Sequence, residues 1–154
     1  MKKIIGWLAV IIWITIIFSF SSQEASQSNN LSTNVTEVVV QTVEKVMPSK
    51  EFDVKTMNHY IRKNAHFFVY MILGLLLINA IDDSKYSQKI TISLAIFLGV
   101  LTASLDEFYQ SFIPGRGPGF KDVLIDTSGL LLGILIFIII RKILKKRLDF
   151  FDKP

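Results

Sequence analysis

The sequence predicts an all-α fold: an integral membrane bundle of four transmembrane helices, with an amphipathic helix on the extracytoplasmic side. Three observations predict it. Apolar residues make up 51% of the 154-residue chain and fall in blocks rather than on alternating faces. Four of these blocks are nearly free of charge over most of the length that reads as a membrane span. Charged residues gather at one end of three of them. The length suits one domain, 1–154, with spans near 4–20, 62–81, 90–109 and 122–140 and an outer loop over 21–61.

The first block, Ile4 to Phe20, follows Lys2 and Lys3. Ser19 and Ser21 are small enough for a signal-peptide cleavage site, but the block is longer than a usual signal core and carries Trp7 and Trp13. It is expected to be an uncleaved anchor. Ser21 to Asn30 is polar and serine-rich, and reads as a loop. Asn34 and Glu37 then have capping-box spacing. Leu31, Val35, Val38, Thr42 and Val46 recur at helical intervals until Pro48. This short amphipathic helix is either a flap on the membrane surface or a cover for the bundle.

Asp53 is a candidate N-cap for the next helix. Its apolar part, Phe67 to Ile81, is shorter than the roughly 20 residues a span needs. Counting back from Ile81 brings Arg62, Lys63 and His66 to the interface. The third block, Ile90 to Leu105, is likewise completed by Asp106, Glu107 and Tyr109. The fourth, Val123 to Ile140, starts beside Asp122 with Asp126 one turn in, and Gly129 and Gly133 are spaced for close helix packing.

Four spans put both termini on one side, with Lys2, Lys3, Lys85, Lys89, Arg141, Lys142, Lys145, Lys146 and Arg147. The positive-inside rule makes that side cytoplasmic. The start of the second span and the 106–122 connection then face outward. The formal charge of +4 fits basic flanks that fix topology and touch anionic lipid. No basic stripe with interleaved aromatics lies outside the spans, so nucleic acid is not an expected partner. Absence of cysteine excludes a disulfide framework, a thiolate zinc site, a lipobox anchor and a cysteine nucleophile.

Arg62, His66 and Tyr70, four apart, line one helix face. Asp106 and Gln110 share a face of the third span, with Glu107 beside them, and Asp122 and Asp126 share a face of the fourth. Between these spans lies Pro114-Gly115-Arg116-Gly117-Pro118-Gly119. The topology brings all of these to one level of one leaflet. Ionisable groups at that depth need partners or water. Arg62, Lys63, Arg116 and Lys121 there balance Asp106, Glu107, Asp122 and Asp126. One connected pocket is expected, with an Arg116–carboxylate contact to Asp106 or Asp122. The carboxylates and His66 suit acid–base chemistry or a cation, and Arg116 suits a phosphate or carboxylate. Alternatively the charges pair only to close the bundle. No metal or other cofactor is expected: His59 stands further out, and no HxxxH-type ligand spacing occurs. No serine stands in a nucleophile turn.

Three stretches carry a resemblance: "FSFSSQEASQS" after the first span, "RKNAHFFVYMILG" opening the second, and "DEFYQSFIPGRGPGFKDVLIDTSGLLLG" across the third loop and fourth span. They resemble the VanZ-like family, known for glycopeptide (teicoplanin) resistance, and cover most of the chain in the family's order. The resemblance implies that Lys63, His66, Tyr70, Asp106, Glu107, Gln110, Arg116, Asp122 and Asp126 are motif positions; it assigns them no roles. The expectation is a bacterial plasma-membrane protein that binds or shields an envelope lipid head group, or hinders a lipoglycopeptide antibiotic. Its partners would be membrane lipids, including a lipid-linked cell-wall precursor. The alternative is a membrane-embedded enzyme modifying such a head group, with His66 or Glu107 as general base. A transporter is disfavoured, because the charges lie at one end only.

Overall fold

The computed structural model describes residues 2–46, 53–82, 86–117 and 119–151. Pro48, Lys85 and Pro118, and the side chains of Lys2, Leu31 and Val46, lie outside the described set. Five α-helices follow one another: α1 (Lys2–Ser21), α2 (Ala25–Val46), α3 (Val54–Ile81), α4 (Gln88–Gln110) and α5 (Phe120–Phe151). No strand occurs among the described residues. Helices α1, α3, α4 and α5 are long and apolar enough to cross a membrane, and a helix is the structure that satisfies its own backbone there. The chain is thus a multi-pass membrane protein. Large side chains such as Ile11, Phe97 and Leu135 stay exposed on the outside of the bundle, as lipid-facing positions must.

The bundle is organised around the α3–α5 seam. Gly129 faces the Phe67 carbonyl, Gly133 faces the Met71 carbonyl, and Gly74 reciprocally faces the Leu130 carbonyl. A Cβ at any of these three would collide with backbone, so glycine is what lets the two helices approach. The spacing of Gly129 and Gly133 therefore has the expected role. Helix α1 joins through Gly6 against Ala80 and through Trp13, whose Nε1 donates to the Val69 carbonyl at 3.0 Å. Leu73, Leu77, Ala95, Ala103 and Leu130 are fully buried where the helices meet.

Two boundaries differ from the sequence reading. The serine-rich stretch is mostly helix, because α2 begins at Ala25 after a turn. Its hydroxyls fold back on the helix: Ser32 donates to the Ser28 carbonyl and Thr36 to the Ser32 carbonyl. Asn34 and Glu37 lie inside this helix and are exposed, so they cap no terminus. Helix α3 does start at the Asp53 cap, whose carboxylate accepts from the Lys55 and Thr56 amides. The basic tail continues α5 to Phe151, since nothing between Arg141 and Leu148 breaks a helix. At this end Arg141 pairs with Asp82 just past α3.

Helix α2 is amphipathic and lies on the start of α3. Thr36 is fully buried, its hydroxyl 3.2 Å from Asn58 Oδ1, and Asn58 Nδ2 donates to Thr33 Oγ1 at 3.3 Å. The helix thereby roofs the end of the bundle at which the charged motif residues meet.

Candidate functional site

Under α2 is a cavity of about 400 Å³ bounded by α1, α2, α3, α4 and the α4–α5 loop. Its wall combines apolar side chains, Ile17, Phe20, Val35, Ile61 and Val69, with polar and charged ones, Arg62, His66, Tyr70, Asp106 and Arg116. The four-residue spacing of Arg62, His66 and Tyr70 does place all three on this wall.

Behind the wall the motif residues support one another. Asp106 is fully buried. Its Oδ2 accepts from the Tyr70 hydroxyl and from Gln110 Nε2, each at 3.3 Å. Gln110 also donates to Ser21 Oγ at 3.2 Å, which ties the end of α4 to the end of α1. Asp126 is fully buried on α5, and its Oδ1 lies 3.6 Å from His66 Nδ1. That separation exceeds hydrogen-bond reach. Both Asp126 oxygens and Asp106 Oδ1 are accordingly without a hydrogen-bond partner. One ligand atom from each of His66, Asp106 and Asp126 can be chosen so that all lie within 4.8 Å of one another.

The remaining motif residues hold the loop and the rim. Glu107 Oε2 accepts the Gly119 amide at 2.9 Å and so fastens the loop that returns to α5. Gly115 takes a positive φ of 76° there, a conformation that glycine adopts without strain. Lys63 Nζ pairs with Asp122 Oδ1 at 3.2 Å on a half-exposed edge. Lys63, Glu107, Gln110, Asp122 and Asp126 thus adjoin the cavity without lining it. Of the two candidate bases, His66 reaches the wall, while Glu107 is committed to the loop.

Arg116 corrects one expectation. Among the described residues it makes no ion pair with Asp106 or Asp122; its Nη2 donates instead to the Phe20 carbonyl at 3.3 Å, capping α1, and its Nε is buried without a partner. Burial, and then the nearby Arg62 charge, hold its pKa below the ordinary arginine value. Charge balance counted along the chain does not decide this pairing, because the Phe20 carbonyl near the end of α1, which also accepts the Gln23 amide at 3.3 Å, competes for the guanidinium. Sequence reasoning also missed Phe20, Ser21, Gln23, Ser28 and Ser32 as cavity residues. The one signal for them was the serine-rich stretch shared with the resembled family.

A VanZ/LLP1 family model matches residues 6–141. The chain belongs to the VanZ/LLP1 family. The match takes in α1 through most of α5, so the whole cavity of this VanZ/LLP1 member lies inside it. No curated protein matches the chain. No solved structure matches it either.

Proposed function

We propose that the protein binds an anionic lipid-linked head group at the outer face of the bacterial plasma membrane, in the cavity beneath α2. The observation that carries this reading is the mixed character of the wall. Apolar Ile17, Phe20 and Val69 line the same cavity as Arg62 and Arg116, the combination of surfaces an amphiphile requires. Arg116 is half-buried and forms no ion pair among the described residues, so an anion entering the cavity gains a charge-assisted hydrogen bond. Shielding a cell-wall precursor in this way would reduce access of a teicoplanin-type lipoglycopeptide, the route to resistance in this reading.

Mass spectrometry of lipids that co-purify with the full chain tests it. The wild type is expected to retain an anionic head group enriched over bulk membrane. Ala65→Trp, which fills the cavity from α3, is expected to lose it while remaining folded. A lipid profile matching bulk membrane in both proteins overturns the proposal.

The outer-face assignment has its own test. A reporter fused after Pro154 is expected to read cytoplasm, and one inserted between α2 and α3 the outside. The opposite result puts the cavity in the inner leaflet and ends the envelope-surface reading.

A second reading is supported by the position of His66 on the cavity wall beside unpartnered carboxylate oxygens: acid–base modification of the bound head group. A binder tolerates His66→Gln with partial function. An enzyme that uses this imidazole loses nearly all turnover.

A further inference from the structure

We infer that His66, Asp106 and Asp126 form a binding site for one divalent first-row transition ion, such as Mn²⁺ or Zn²⁺. The inference goes beyond head-group binding and does not depend on it.

The donors come from three different helices, α3, α4 and α5, and converge at one point. Asp106 and Asp126 are both fully buried. Three of their four oxygens have no hydrogen-bond partner, although a buried carboxylate normally has several. The cations placed around them answer this deficit only in part: a protonated His66 would stand 3.6 Å from Asp126 Oδ1, Lys63 is paired with Asp122, and Arg116 donates to the Phe20 carbonyl. Two buried carboxylates that share one histidine as counter-charge are costly at this depth. A dication supplies the missing charge and the missing contacts together.

The geometry suits an ion better than a hydrogen bond. With metal–ligand bonds of about 2.1 Å, two ligand atoms on a tetrahedral ion stand about 3.4 Å apart. The His66 Nδ1 to Asp126 Oδ1 separation is 3.6 Å, and all three ligand atoms fall within 4.8 Å. Binding an ion would draw the widest of these separations in by up to about 1.4 Å to complete the shell. The second shell is already in place. Tyr70 and Gln110 both donate to Asp106 Oδ2, which leaves Oδ1 free and fixes the plane of the carboxylate. One imidazole with two carboxylates selects a transition ion over Mg²⁺ or Ca²⁺, which prefer all-oxygen shells. His66 and Asp106 also line the cavity. Three protein ligands leave at least one coordination position, and it would open towards the cavity.

The full chain, purified in detergent without chelator, is the material for the test. Elemental analysis is expected to find about one Mn²⁺ or Zn²⁺ per chain. Added Mn²⁺ is expected to raise the Tm of the chelator-stripped protein. Asp126→Asn and Asp106→Asn are expected to reduce ion content more than tenfold, and Lys63→Ala to leave it unchanged. Because an Asp→Asn variant could fail to fold, pulsed electron paramagnetic resonance on Mn²⁺-loaded wild type, with and without ¹⁵N-histidine, gives an independent readout. Coupling to an imidazole nitrogen is expected. No retained ion and no Tm response would overturn the site, as would ion content unchanged in both carboxamide variants, or Mn²⁺ without histidine coupling. The carboxylates would then share a proton with His66. Lipid is not needed in these measurements, so their failure is separable from failure of the head-group proposal.

Discussion

Leucine in place of Gly129 or Gly133 is expected to abolish the folded bundle. The α3–α5 seam brings Gly129 against the Phe67 carbonyl and Gly133 against the Met71 carbonyl and the Leu75 amide. Overpacking costs about 1–3 kcal/mol where side chains can yield. Backbone carbonyls inside a helix cannot yield without breaking the helix, so the cost here is about 3 kcal/mol or more. Alanine already introduces the offending atom, and Gly129→Ala is expected to be harmful too. Gly99 provides an intermediate case, because its added Cβ would meet only the Leu130 side chain. Gly117 is the control: nothing surrounds its added Cβ, and Gly117→Ala is expected to change stability by less than about 0.5 kcal/mol. Size-exclusion profile and thermal unfolding in detergent check the series. Equal stability of the Gly129 and Gly117 variants would mean that the two helices do not meet at these carbonyls.

Arg116→Ala is expected to separate binding from folding. Arg116 makes one hydrogen bond to the Phe20 carbonyl at 3.3 Å, near the limit of such bonds, and leaves its Nε unpartnered. Removing it should therefore cost less than about 1 kcal/mol of stability. Burial and the neighbouring Arg62 charge lower its pKa, so the guanidinium is held where an anion would relieve it. Loss of a charge-assisted contact of this kind is worth about 1.5–3 kcal/mol, or roughly ten- to a hundredfold in anionic-lipid retention. Lysine keeps the charge but not the planar fork and is expected to restore part of the affinity. Tm and quantitative lipid retention, measured on the same preparations, check both halves. Retention unchanged in Arg116→Ala would remove this arginine from the ligand site. A stability loss as large as the binding loss would make it a structural cap of α1.

The sequence by itself determined the number of spans, their order and the end at which the charges meet. Each of these follows from one-dimensional quantities: block length against bilayer thickness, and the position of ionisable residues within a block. Helical periodicity placed Arg62, His66 and Tyr70 on one face, and the Gly129/Gly133 spacing marked a packing surface, because both depend only on neighbours along one helix. The start of α2 was not legible, since serine and asparagine side chains compete with the backbone and favour turns, while inside a helix the Ser32 and Thr36 hydroxyls instead bond back to the preceding turn. The partner of Arg116 was not legible either. Carboxylates 10 residues before and 6 residues after it competed with a carbonyl 96 residues away, and only the docking of α1 onto the bundle favours the carbonyl. The tertiary structure alone decided that His66, Asp106 and Asp126 converge while Lys63 and Asp122 pair at the rim and Glu107 holds the loop. That division depends on the rotation of three helices about their own axes, which is set by the glycine contacts of the α3–α5 seam and by α4 against Leu130, and no local pattern encodes it.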